Sequence, residues 1–255
     1  REAEAIRAAG PGRVISGHYM YDRYLALAAA DAPVRRLPPR REMAALQAAW
    51  LTGDARPVLF LAEPRRTDLE TIDPRARSMR GSWAWPRAAA LLLSGERPGA
   101  VDLVEIAAPS WFAGAGWGLS LEVAHPDGIA PPVRTAYLRP GPAAGVLLLA
   151  GEPTDPGAAE WECELTLAGA RLDRRSCGAP WLSAYDVRPS AAGGYAPLAF
   201  ATTRGAASSG APFALRGLAY GDAGSALLAH GDGWHYAETA EDGRPFRWAT
   251  RAARS

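Results

Sequence analysis

The chain has 255 residues, of which 48% are hydrophobic and 22% charged, with a formal net charge of +1 at pH 7. This length suits two domains, and this composition allows a substantial buried core. All 28 basic residues are arginine. They are interleaved with acidic residues and form no concentrated positive surface, which argues against a nucleic-acid-binding protein. No apolar run approaches the roughly 18 to 20 residues that a membrane span requires.

The first 115 residues alternate between helical and strand patterns. The opening "REAEAIRAAG" has no initiating Met and predicts the middle of a helix, so we expect the chain to be a piece of a longer polypeptide. Further helical patterns occupy 21–33 and 40–53. The second of these carries apolar residues at helical spacing, namely Met43, Leu46, Ala49 and Trp50.

Three short apolar runs bounded by Pro or Gly lie among these helices, at 13–17, 56–64 and 100–109. Apolar strands that alternate with helices are typical of a parallel sheet covered on both faces. Thr67 and Glu70 have the spacing of a capping box at the start of a short helix. We therefore predict that residues 1–115 form an incomplete Rossmann-like or flavodoxin-like α/β domain with a mostly parallel sheet.

From about Gly116 the sequence consists of short β-runs separated by turns rich in Gly and Pro. Runs that recur at roughly 8–15-residue spacing predict an antiparallel β-sandwich, jelly-roll-like, over residues 116–255. The segment Leu167–Leu172 predicts a hairpin turn within this array. The fold class is thus α/β followed by all-β.

The two cysteines, Cys163 and Cys177, flank this turn. Alternation along 161–167 places four residues on one face, so Cys163 points inward. They are Trp161, Cys163, Leu165 and Leu167. A cross-strand disulfide formed in an oxidising compartment and two separate buried thiols both fit this pattern, and two thiols are the favoured alternative. Two cysteines this far apart with no nearby His do not predict a zinc site.

The common catalytic motifs are absent from the sequence. It has no P-loop, no GxSxG elbow and no HExxH motif, and its four His are scattered. We predict no catalytic residue, no metal and no cofactor in this chain. Candidate anion-binding residues follow two predicted strands, where α/β domains bind ligands: His18, Arg65 and Arg66. Hydrogen bonds or ion pairs within the loops are the favoured alternative for all three.

Aromatic residues are concentrated at the predicted domain boundary and near the C-terminus. Trp111 and Trp117 are expected to be structural, because burying one Trp removes about 150–250 Å² from water. The segment 244–252 alternates like the last strand of the sandwich, which would place Trp248 in the core. Aromatic faces beside carboxylates and hydrogen-bond donors suit a sugar. The candidate carbohydrate-binding residues are Trp234, His235, Glu238, Arg247 and Trp248.

Four segments carry a resemblance to a known family: "RPVLFLAEPRRTDLETIDPRAR", "GSWAWP", "ERPGAVDLVEIAAPSWFAGAGWGLSLEVA" and "GDGWHYAETAEDGRPFRWATRAA". They resemble the C-terminal extracytoplasmic region of bacterial membrane glycosyltransferases that are similar to dolichyl-phosphate-mannose protein mannosyltransferases. The resemblance covers about residues 40–130 and 228–253.

This resemblance implies a parent protein that transfers a sugar from a polyprenyl-phosphate donor at the outer face of the cytoplasmic membrane. The catalytic acids of such families lie in a loop between membrane helices that this chain does not contain. The expected role is therefore non-catalytic, with a carbohydrate or glycosyl acceptor and the membrane-embedded half of the parent chain as partners. The alternatives are a structural or protein-interaction module without a ligand and, less favoured, a carbohydrate hydrolase with two carboxylates about 5–9.5 Å apart.

Overall fold

The computed structural model describes residues 14–16, 34–36, 42–62, 69, 71–84, 100–114, 133–153, 156–191, 193–204, 213–222, 238–239 and 245–246. The chain forms two compact units. Unit 1 comprises Arg1–Arg66 and Pro74–Pro109, and unit 2 comprises Thr67–Asp73 and Ser110–Ser255. Within the described residues the fold is β-rich, with mostly antiparallel strand pairing and one α-helix.

The helix, α1, spans Glu42–Leu51 in unit 1. Its buried residues are Met43, Leu46 and Trp50, which confirms the helix predicted from their spacing. The chain leaves α1 through Gly53, which has a φ of 90°. The amide of Gly53 donates to the carbonyl of Trp50, and that of Asp54 donates to the carbonyl of Ala49. This pair of hydrogen bonds is a Schellman motif, which satisfies the last helical carbonyls.

The described residues of unit 1 form a five-stranded sheet. Its strands are β1 (Val14–Ser16), β2 (Val34–Arg36), β3 (Val58–Ala62), β4 (Arg77–Ala84) and β5 (Ala100–Ile106), in the order β2-β1-β3-β5-β4. Strand β1 pairs in parallel with β2 and β3, whereas β5 pairs antiparallel with β3 and β4. The sheet is therefore mixed, where the sequence predicts a mostly parallel one. Strand β4 was not predicted, because polar residues interrupt it and Met79 is exposed.

In unit 2, the residues that the structure describes form two antiparallel sheets and a short ribbon. The five-stranded sheet has the order β10-β9-β12-β7-β6, the three-stranded sheet has the order β11-β8-β13, and the ribbon pairs β14 with β15. The strands are β6 (Trp111–Ala113), β7 (Val133–Leu138), β8 (Gly145–Pro153), β9 (Glu162–Leu167), β10 (Ala170–Ser176), β11 (Trp181–Val187), β12 (Ala196–Thr203), β13 (Phe213–Asp222), β14 (Glu238–Thr239) and β15 (Pro245–Phe246).

One buried hydrophobic cluster draws residues from both large sheets of unit 2. The five-stranded sheet supplies Leu138, Leu165 and Phe200, and the three-stranded sheet supplies Leu147 and Leu149. Trp111 belongs to the same cluster and is 4% exposed, which confirms its predicted structural role. The two sheets thus contribute to the same buried core.

The hairpin predicted at Leu167–Leu172 is confirmed. Leu167 and Ala170 pair across a two-residue turn, and the central residues have positive φ, 50° at Ala168 and 81° at Gly169. Two positive φ values are the signature of a type I′ turn, whose twist matches that of the flanking strands. A β-bulge follows at Leu172, between the paired residues Arg171 and Asp173.

Cys163 and Cys177 form a disulfide with a Cα–Cα distance of 5.4 Å. The favoured alternative of two separate thiols is thus wrong, although the predicted inward orientation of Cys163 is confirmed. Alternation along β9 fixes which face Cys163 occupies, but the path of the chain after β10 decides whether Cys177 meets it. The amide of Cys177 donates to the carbonyl of Trp161, which holds the two ends of this loop together.

Several predictions fall outside the described residues. They are the helices at 2–10 and 21–33, the capping box of Thr67 and Glu70, Trp117 and the β-run that follows it. Of the strand predicted at 244–252, the structure describes Pro245 and Phe246, which pair with β14.

Candidate functional site

The structure describes little of the predicted sugar and anion sites. His18, Arg65, Arg66, Trp234, His235, Arg247 and Trp248 lie outside the described residues. The exception is the backbone of Glu238, which lies in β14 opposite Phe246 of β15. These candidate sites therefore remain predictions.

A second group of polar and aromatic side chains lies on two edge strands of unit 2. We call it the rim cluster: Asp173 and Arg175 on β10, and Trp181 and Tyr185 on β11. Strand β10 is the edge of the five-stranded sheet, and β11 is the edge of the three-stranded sheet. Trp181 and Tyr185 pack against the buried core of the unit. The rim cluster thus lies where the core meets the surface.

Hydrogen bonds and a cation–π contact connect the four side chains. Tyr185 Oη donates to Asp173 Oδ2 at 2.6 Å. Arg175 Nη2 donates to Tyr185 Oη at 3.2 Å and forms an ion pair with Asp173. The guanidinium carbon of Arg175 lies 4.7 Å from the centroid of the Trp181 ring. The ion pair, the hydrogen bond to Tyr185 and the cation–π contact together restrain the guanidinium group of Arg175.

The bulge at Leu172 decides which residues of β10 reach the rim cluster. Asp173 and Arg175 pair with Leu165 and Cys163, which are buried on the core side of β9. Arg171, before the bulge, pairs instead with Thr166. Simple alternation would put Arg171 and Asp173 on the same face, and the extra residue of the bulge breaks that parity. Sequence reasoning missed the rim cluster because no signal in "ARLDRRS" locates the bulge.

The electrostatics of the rim cluster follow from burial and hydrogen bonding. Burial raises the pKa of Tyr185 to about 12, and the hydrogen bond to Asp173 acts in the same direction. Burial also disfavours the Asp173 carboxylate, but hydrogen bonds from Tyr185 and Arg175 outweigh it, so the pKa of Asp173 is lowered. At neutral pH the rim cluster therefore contains one negative carboxylate, one positive guanidinium group and a neutral phenol.

A buried polar contact joins the segment Thr67–Asp73 to the rest of unit 2. Asp73 is 3% exposed, its carboxylate accepts a hydrogen bond of 2.6 Å from Ser110 Oγ, and its amide donates to the carbonyl of Trp111. Ile72 forms a β-bridge with Phe112, whose ring stacks on Tyr137 at 5.0 Å. Because these groups are packed away from solvent, we assign them a structural role.

In the part of the chain that the structure describes, no group of three or more His, Cys, Asp or Glu could hold a metal ion. Among the same residues, no helix combines the length and apolar character needed to cross a membrane.

The comparisons with known proteins show no relative: the chain matches no protein-family model, no curated protein and no solved structure.

Proposed function

We propose that this chain is the non-catalytic extracytoplasmic region of a membrane glycosyltransferase that uses a polyprenyl-phosphate-linked sugar, and that unit 2 binds glycan or acceptor. The resemblance described above suggests this role. The structural observation that supports it best is the disulfide between Cys163 and Cys177. Disulfides persist in oxidising environments such as the periplasm or the outer membrane surface and are rare in the cytosol.

The architecture proposed for the two units accords with this role. We infer that the two large sheets of unit 2 form a β-sandwich, which is supported by their shared buried cluster. For unit 1 we infer an α/β domain, supported by the parallel order β2-β1-β3. A sandwich presents loops and sheet edges on which a ligand site can be built without disturbing the core.

Within this proposal the sugar contacts are Trp234, His235 and Glu238, with Arg247 and Trp248 in support. An aromatic face packs on the C–H groups of a sugar ring, while carboxylate, imidazole and guanidinium groups bind its hydroxyls. His18, Arg65 and Arg66 are the residues proposed to meet an anionic group such as a phosphate.

The test is a glycan-array screen of the 255-residue chain beside its Trp234→Ala variant, with the melting temperature of each. Leu182→Ala is the matched control, because Leu182 is an exposed large side chain at 45% exposure on a strand of unit 2. The proposal expects binding by the wild type and by Leu182→Ala, and loss of binding in Trp234→Ala at an unchanged melting temperature.

Absence of binding to every glycan would contradict the proposal and favour a structural or protein-interaction module. The compartment has a separate test. The full-length protein is trapped with acid in cells of its source and treated with a thiol-reactive polymer before and after reduction. The proposal expects Cys163 and Cys177 to react only after reduction, whereas two free thiols in the untreated sample would exclude an oxidising compartment.

A further inference from the structure

The Arg175 side chain combines a fixed position with unused hydrogen-bonding capacity. Its contacts to Asp173 and Tyr185 both use Nη2. Its Nε and Nη1 groups have no hydrogen-bond partner among the described residues. The side chain is 32% exposed, so solvent or a ligand can reach it. A guanidinium group restrained in this way loses little conformational entropy on binding a ligand.

Asp173 offers complementary acceptor capacity beside these donors. Tyr185 and Arg175 both contact Oδ2. Each carboxylate oxygen has two lone pairs, so further hydrogen bonds can be accepted. At 22% exposure the Asp173 side chain is also accessible. Donors and acceptors therefore lie side by side at one accessible position.

The charge of the rim cluster selects the class of ligand. The positive charge of Arg175 is already paired with the negative charge of Asp173. An anion that approached Arg175 would be repelled by the Asp173 carboxylate, and a cation that approached Asp173 would be repelled by the guanidinium group. A neutral molecule with neighbouring hydroxyls meets neither repulsion, since a hydroxyl both donates and accepts.

We propose that the rim cluster is a second carbohydrate-binding subsite, at which Asp173 and Arg175 bind neighbouring hydroxyls of a neutral sugar beside the Trp181 and Tyr185 rings. The inference rests on the proposed function, because it adds a sugar contact to the unit already assigned to glycan binding. It differs from that assignment in its residues, which lie on β10 and β11.

The test uses the full 255-residue chain with 5-fluorotryptophan and fluorine NMR. The Trp181 signal is identified by its absence in Trp181→Phe. Methyl glycosides of glucose, galactose and mannose are the neutral probes, and methyl glucuronide is the anionic one. We expect the neutral probes to shift the Trp181 signal and the glucuronide to bind more weakly.

Two arginine variants then assign the effect to the rim cluster. Arg175→Met keeps an apolar stem over Trp181 but removes the donors, and it is expected to weaken binding of the neutral probes by about tenfold or more. Arg174→Met is the matched control. The Arg174 side chain donates a hydrogen bond to the Glu162 carboxylate and lies on the opposite face of β10 from Arg175. This variant should leave the affinity unchanged. Arg175→Lys provides a second variant if Arg175→Met does not fold, and the same loss is expected because Lys cannot make a forked contact.

The inference would be overturned if no neutral probe shifted the Trp181 signal or if the glucuronide bound more strongly than the neutral probes. Equal losses of affinity in the Arg174 and Arg175 variants would also overturn it. The proposed function is tested independently of this inference, by the glycan array. A glycan-array signal that Trp234→Ala abolishes, together with a silent Trp181 signal, would retain glycan binding and remove the rim subsite.

Discussion

Gly145, at the start of β8, lies against the ring of Tyr220 on the neighbouring strand β13. A Cβ atom at this position would lie 2.6 Å from Tyr220 Oη and 2.7 Å from Tyr220 Cε2. Tyr220 is buried in the core of unit 2, so its ring has little room to move. We expect Gly145→Ala to lower the free energy of unfolding by about 1–3 kcal/mol, measured by urea denaturation. Gly194→Ala, where no atom lies within 4 Å of the added Cβ, should change it little.

Tyr185 makes the stability of unit 2 sensitive to alkaline pH. Its pKa is raised from 10.0 to about 12, so the folded state holds the phenolic proton more tightly than the unfolded state does. This contribution to stability is complete below pH 10 and is lost as the pH rises towards 12. We expect the Tyr185→Phe variant to lose less stability than the wild type between these pH values. Equal losses in both proteins, measured by chemical denaturation at pH 9 and pH 11, would contradict this assignment.

The same linkage has the opposite sign for Asp173, whose pKa is lowered by hydrogen bonds that outweigh burial. The stabilising contribution is present above the ordinary carboxyl pKa and is lost as the pH falls through the lower pKa of the folded state. We expect Asp173→Asn to remove this acid sensitivity, so that wild type and variant converge in stability as the pH falls through the lowered pKa of the folded state. Parallel stability curves throughout the acid range would show that Asp173 is not the group responsible.

At the scale of single elements, the β9–β10 hairpin has a suboptimal residue at its turn. Ala168 is exposed and has a φ of 50°, a conformation that L-residues other than Asn and Asp rarely adopt. Asn-Gly is the preferred pair for a type I′ turn. We expect Ala168→Asn to raise the free energy of unfolding by about 0.5–1 kcal/mol. Gly169→Ala is the matched change of opposite sign, because φ is 81° there and a Cβ is strained although the space around it is open. A stabilising Gly169→Ala would rule out the type I′ assignment.

For the whole molecule, the disulfide is the covalent constraint that the described residues contain. It joins residues 14 apart and closes a loop that contains the β9–β10 hairpin except for Glu162, the first residue of β9. A loop of this length is expected to stabilise the folded state by about 3 kcal/mol, because it restricts the unfolded chain. We predict that a reductant lowers the denaturation midpoint of the wild type. The denaturation midpoint of the Cys163→Ala/Cys177→Ala double variant should not change with reductant. If the reduced wild type has two titratable thiols but an unchanged midpoint, the disulfide does not stabilise the fold.

Much of the secondary structure could be predicted from the sequence, because periodicity is a local property. The helical spacing of Met43, Leu46 and Trp50 and the alternation of Trp161, Cys163 and Leu165 both report the buried face directly. The turn at Ala168 and Gly169 was equally visible as a short gap between two β-runs. The predicted sugar and anion residues, from His18 to Trp248, remain untested predictions.

Other features depend on which strands meet, and only the tertiary structure decided them. The antiparallel pairing of β5 with β3 and β4, and the closure of the disulfide, join segments whose contact no local pattern specifies. The bulge at Leu172 has the same character, since one unpaired residue directs Asp173 and Arg175 towards Trp181 and Tyr185 on another sheet. Sequence periodicity determines which face of an element is apolar. Long-range pairing determines which residues share a site, because it depends on the packing free energy of the whole unit.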